Sequence, residues 1–204
     1  MAGRLDSDSL LLLQDALAVL EQGFADLPDN PPSSGDPEAL RKVLLETAVR
    51  LQDNYPYFHP QYAGQMLKPP HAVARLAYAL ATWINPNNHA LDGGRASSAM
   101  EKEAVAGIAR MFGWETHLGH LTSGGTMANL EALWIAGELK PGATVLASSQ
   151  AHYTHGRISA VLKLSFESVP VDGFARMDLA ALERRLAAGG VGTVVATLGT
   201  TATG

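Results

Sequence analysis

Leucine and alanine recur at helical spacing from Leu10 to Phe24, with acidic residues near the start, and the pattern predicts a helix ending near Gly23. Residues 26–37 break it: Pro28, Pro31, Pro32 and Pro37, with Ser33, Ser34 and Gly35, make a linker. Asp36 as cap and Pro37 at the first helical position open a second helix through Gln52, with Leu40, Val43, Leu44 and Ala48 on one face. Residues 1–53 are thus a helical N-terminal segment. Asn54 to Met66, NYPYFHPQYAGQM, holds too many prolines and aromatics for a helix and too little alternation for a strand. It reads as a loop able to line a pocket. His71 to Trp83 and Ala99 to Phe112 are helical again, the second ending at Gly113 in the left-handed cap position.

Beyond Gly113 the period changes. Short apolar runs at Thr116 to Leu121, Ala143 to Ala147, Phe166 to Val169 and Gly192 to Leu198 read as strands. Helical stretches at Thr126 to Leu139, Thr154 to Leu164 and Asp178 to Ala188 lie between them. That alternation predicts crossover units and a mostly parallel sheet, hence an α/β fold.

Composition narrows the function classes. With 204 residues, 47% apolar and 17% charged, the chain has the makings of a globular core in about one or two domains. No uncharged apolar run reaches membrane length, and Leu10 to Leu13, flanked by Asp6, Asp8 and Asp15, lacks the basic start and cleavage site of a signal peptide. The expectation is a cytoplasmic protein without a membrane partner. The absence of cysteine removes disulfides, thiolate metal ligands and a cysteine nucleophile. A net charge of −5 gives no electrostatic footprint for nucleic acid.

Candidate chemistry gathers in loops that follow the expected strands, which in a parallel sheet is where ligands bind. In HLTSGGTMANLEAL, His120 to Leu133, the small residues Ser123, Gly124, Gly125 and Thr126 precede a helix. Glycine allows close backbone approach, and the amides of a helix start favour an anion, so the loop is suited to phosphate. The alternative is a tight turn with Thr126 as helix cap. It is neither a Walker loop nor a dinucleotide fingerprint. In SSQAHYTHGR, Ser148 to Arg157, a histidine can stack on a planar ligand while its nitrogens move protons, or His152 or His155 can cap the next helix. The capping role is expected of His155. In VVATLGTTATG, Val194 to Gly204, the hydroxyls of Thr200 and Thr201 can reach a ligand held by the first loop, or stabilise a turn.

In order and spacing these segments resemble one family, the pyridoxal 5'-phosphate (PLP)-dependent group II decarboxylases of the aromatic-L-amino-acid and glutamate decarboxylase type. Thr122 to Asn129 is similar to its T-S-G-G-T-x-A-N motif, SSQAHYT to its S-x-x-A-H-x-S motif with Thr154 in place of serine, and Thr197 to Thr201 to its T-x-G-T-T motif. HPQYAGQM resembles H-P-x-F-x-x-Q, and SSAMEKEAV a segment ending M-E-x-E-V. The resemblance runs from about Tyr57 to Gly204. It implies an aspartate-aminotransferase-like fold (PLP fold type I), with residues 54–204 an incomplete PLP-binding large domain. It further implies PLP as cofactor, held by Ser123, Gly124, Gly125, Thr126, His152 and Thr200, with His152 stacked on the pyridine ring as the catalytic histidine. The substrate implied is a small-molecule amino acid, with His59 and Tyr62 as pocket candidates, and the assembly a homodimer.

The resemblance places the family's Schiff-base lysine and its pyridine-pairing aspartate downstream of the G-T-T segment. Lys163 and Asp172 come too early in the pattern, and read as a helix end and a turn. The expectation is therefore an N-terminal part of a longer carboxy-lyase, inactive by itself. Two other readings remain: a noncatalytic phosphometabolite-binding or subunit-interaction module on the same scaffold, and a PLP-dependent lyase or aldolase. A metal hydrolase using His117, His120, His152 and His155 is disfavoured, because the paired H-x-x-H spacings lack further ligands nearby, and no metal is expected.

Overall fold

The computed structural model describes residues 8–28, 35–64 and 67–204. Residues 29–34 of the proline linker and the end of the aromatic loop, Gln65 and Met66, lie outside the described residues. The chain forms two compact units that divide between Ser98 and Ala99. The boundary expected from the sequence lies between residues 53 and 54.

The first unit contains α1 (Ser9–Gln22), α2 (Pro37–Leu51) and α3 (Ala72–Ile84). Asp36 caps α2 by accepting from the Glu38 amide at 3.0 Å, and Pro37 takes the position whose missing N–H costs nothing. His71 caps α3 through Nδ1, which accepts from the Val73 amide at 3.3 Å. α1 packs against α3, and Arg75 donates to the buried Ser9 hydroxyl at 3.4 Å. The expected apolar face of α2 is present but uncovered, with Leu40, Val43 and Leu44 at 62%, 58% and 60% exposure.

The second unit holds most of α4 (Arg95–Met111), then α5 (Gly125–Leu139), β1 (Thr144–Ser148), α6 (Thr154–Val161), β2 (Phe166–Val169), α7 (Leu179–Ala187) and β3 (Val191–Val195). Its sheet is parallel throughout, in the order β2-β1-β3. All five residues of central β1 are buried, as expected for a strand paired on both sides and covered on both faces. Leu133, Val145 and Ile158 form the core, with Leu130, Leu162, Leu164, Phe166 and Val195 around them. Burying a side chain such as Ile158 stabilises by about 1.5–3 kcal/mol.

Strand alternation separates the layers. Phe166 faces the α6 side and joins the core, while Glu167 points to the opposite face and forms a forked ion pair with Arg185 of α7 at 2.6 and 2.9 Å. α6 and α7 therefore cover opposite faces. Asp178 caps α7, accepting from the Ala181 amide at 3.0 Å.

Two expected strands differ. Thr116 to Leu121 is not a strand, because it joins no ladder: the Leu121 amide donates instead to the Glu101 carboxylate at 2.8 Å. Leu118 projects fully into solvent at 103% exposure. The last strand stops at Val195, where pairing with Ala147 ends, so Ala196 to Leu198 belong to the following loop.

Candidate functional site

Three segments lie toward one end of the sheet. α5 is joined to β1 by residues 140–143 and runs opposite to the strands. Its last turn lies beside the start of β3, where a Cβ on Gly192 would come within 2.9 Å of Lys140, and its Leu130 reaches the same core as Val195 at the end of β3. The N-terminus of α5 therefore faces the carboxyl ends of the strands. The loops after β1 and β3 leave from that same end because the strands are parallel. The small-residue turn, the histidine loop and the G-T-T turn thus share the rim where a parallel sheet places its ligands.

The small-residue turn is shaped by Gly124, which occupies the helix-capping position with φ +152°, a backbone conformation strained for any residue with a side chain. Apart from the adjoining backbone, no atom of the described residues stands within 4 Å of where a Cβ on Gly124 or Gly125 would lie. The first amides of α5 have no preceding helical turn to supply acceptors. Thr126 is inside the helix and is not its cap. Ser123 and Thr126 are exposed, and Thr122 braces the turn by donating its hydroxyl to the Gly124 carbonyl at 3.0 Å. Two anchors hold the approach: Leu121 to Glu101 of α4, and His120 Nε2 to Glu131 of α5 at 2.6 Å. Glu131 thus engages one of the four histidines of the paired H-x-x-H spacings. Among the described residues no three metal-ligating side chains cluster.

His152 is exposed at the rim. Its Nδ1 accepts from the Thr154 amide at 3.3 Å and also meets the Thr154 hydroxyl. Its ring lies 4.3 Å from the Tyr153 ring, tilted by 31°. His155 is no helix cap. α6 begins at Thr154 with Tyr153 in the capping position, so His155 falls in the first turn and is buried at 8% exposure. Burial, and secondarily the charge of His152, hold its pKa below the ordinary histidine value. Its Nδ1 and the hydroxyl of Ser159, one turn on, are buried without hydrogen-bond partners among the described residues.

In the G-T-T turn Gly199 adopts φ +76°, which a side chain would disfavour. Thr200 is half-buried, and its hydroxyl accepts from the Thr203 amide at 3.2 Å and contacts the Thr203 hydroxyl. The local turn therefore uses this hydroxyl. Lys163 follows the Leu162 cap of α6 with φ +58°, and Asp172 closes a turn by accepting from the amides of Phe174 and Arg176.

His59 and Tyr62 belong to the first unit, both half-buried. His59 Nδ1 accepts from the Gln61 amide at 3.2 Å, and the Tyr62 ring stands edge-on to Tyr57 at 5.1 Å. Lys68 donates to the carbonyls of both His59 and Tyr62, at 3.2 and 3.1 Å. No local pattern signals the bracing role of Lys68, nor Tyr153 beside His152; only side-chain geometry reveals them.

No protein-family model matches the chain. Among curated proteins it is 39% identical over 97 residues to an L-tyrosine decarboxylase of Enterococcus faecium, spanning 47% of this chain and 16% of that protein. It is 33% identical over 124 residues to a probable L-tyrosine/L-aspartate decarboxylase of Methanoculleus marisnigri, spanning 59% of this chain and 33% of that one. The chain thus spans a third or less of the length of these two relatives. Among solved structures, mouse CSAD superposes with a TM-score of 0.70 at 20% identity, covering 90% of this chain and 42% of the other. Oryza sativa TDC with PLP and tryptamine gives 0.67 at 18%, covering 98% and 53%. The fold is that of the fold type I PLP decarboxylases, and over part of their length the chain is similar in sequence to tyrosine and tyrosine/aspartate decarboxylases.

Proposed function

We propose that the chain is part of a PLP-dependent amino-acid decarboxylase and that the rim at the carboxyl ends of β1 and β3 receives the cofactor. The observation that carries this reading is the open glycine turn at the start of α5, on the same sheet end as His152. The residues present fit a phosphate ester beside a flat ring. Gly124 and Gly125 leave room for the ester oxygens, the first amides of α5 supply donors and a favourable dipole, and Ser123 and Thr126 add hydroxyls. His152 offers a planar face. Thr200 belongs to this set through its place on the rim, its hydroxyl exchanging the Thr203 partner for the ligand.

When bound, PLP supplies an electron sink for the pair left behind as carbon dioxide departs from the amino acid. The chain's own residues hold the phosphate, orient the ring and place a nitrogen-bound proton of His152 near the reacting end. His59 and Tyr62 are assigned to the amino-acid pocket. By analogy with the tyrosine and aspartate decarboxylases it resembles, the substrate is a small-molecule amino acid. We assign residues 54–204 to the cofactor domain and 1–53 to a preceding helical segment. The assembly is read as a cytoplasmic homodimer with no nucleic-acid partner.

Equilibrium dialysis against PLP and against unphosphorylated pyridoxal tests the reading. Retention of PLP at least tenfold stronger than pyridoxal, lost in Gly124→Val, is the expected outcome. Equal retention of the two, or PLP binding indifferent to Gly124→Val, contradicts it.

A further inference from the structure

His152 is fixed in two directions by its own helix turn. In the ring plane, the Thr154 amide points its hydrogen at Nδ1 from 3.3 Å, with the Thr154 hydroxyl at the same nitrogen. A backbone N–H can only donate, so Nδ1 is an acceptor and the neutral ring carries its proton on Nε2. Across the ring plane, Tyr153 lies on one side at 4.3 Å, and the Arg157 guanidinium stands 4.4 Å from the Tyr153 ring centre. The three groups form a column of imidazole, phenol and guanidinium. Tyr153 touches both neighbours although it is 64% exposed, and no further aromatic ring or cation stacks on His152 among the described residues.

We propose that Tyr153 and Arg157 are positioning residues for His152, the column leaving one face of the imidazole free for a flat ligand while Thr154 sets its Nε2–H tautomer. The inference rests on the cofactor reading above for the identity of that ligand, and on geometry alone for the tautomer and the column. Arg157 acts through Tyr153: a cation over a phenol face adds order at an exposed site where packing is thin.

The test is long-range proton–nitrogen NMR on the 204-residue chain labelled in histidine, without cofactor, with His152→Gln to assign the signal. His152 is expected to show the Nε2–H pattern and ring protons shifted upfield by Tyr153. Tyr153→Leu should abolish the upfield shift, Tyr153→Phe should retain it, and Arg157→Gln should reduce it. In a parallel PLP titration Tyr153→Leu should weaken binding by about three- to tenfold, and Tyr153→Phe should restore it. An Nδ1–H ring, or His152 signals unchanged in Tyr153→Leu, overturns the proposal. If PLP fails to bind while the ring signals behave as expected, the cofactor reading falls and the positioning of His152 stands.

Discussion

His155 shows how a single buried side chain makes stability depend on pH. The folded chain lowers its pKa by desolvation and by the neighbouring His152, so the unfolded chain binds the proton more readily. Stability is therefore complete above the ordinary value of about 6.5 and falls as pH drops below it. Urea unfolding from pH 7.5 to 5 should show that decline, and His155→Gln should flatten it; a parallel decline in both proteins contradicts the assignment. At Gly124 the cost of a side chain is conformational, since space around the position is open. Gly124→Ala should lower stability by about 1–2 kcal/mol in the same assay, through backbone strain. Residues such as Ser123 to Thr126 are legible in the sequence because their chemistry follows from small size and from their place before a helix. The column on His152 is not, because it depends on side-chain rotamers. His155 departs from the expected capping role because α6 starts at Thr154, which puts His155 two residues past the Tyr153 cap, inside the first turn and buried.

Elements whose ends carry their own signals are legible nearly to the residue. Asp36 with Pro37 opens α2, Asp178 opens α7, and the four-residue run Phe166 to Val169 is a strand with those bounds. Asp178→Ala removes an acceptor from the first turn of α7 and should cost about 1 kcal/mol in urea unfolding, with Asp178→Asn recovering most of it. Ile158→Ala, which empties a site between α6 and the sheet, should cost about 2–5 kcal/mol. Thr116 to Leu121 fails as a strand for a physical reason that no local pattern carries. An apolar run becomes a strand only when a neighbour accepts its amides, and here a side chain of α4 takes the Leu121 amide.

At the scale of the molecule, apolar surface is left uncovered in both units. α2 presents Leu40, Val43, Leu44 and Val49, each more than half exposed, and among the described residues β3 is an edge strand, with Val194 at 40% exposure and Leu198 beyond it at 102%. Unpaired edges and apolar faces of this kind drive association. Sedimentation velocity should show the 204-residue chain as dimers or larger species at micromolar concentration; a monodisperse monomer contradicts that expectation. A crystal structure of the chain grown with PLP would show directly where the phosphate ester lies. The phosphate is expected on the amides at the start of α5, beside Gly124 to Thr126, with the pyridine ring against the open face of His152. A phosphate seated anywhere else, with the glycine turn unoccupied, would contradict it.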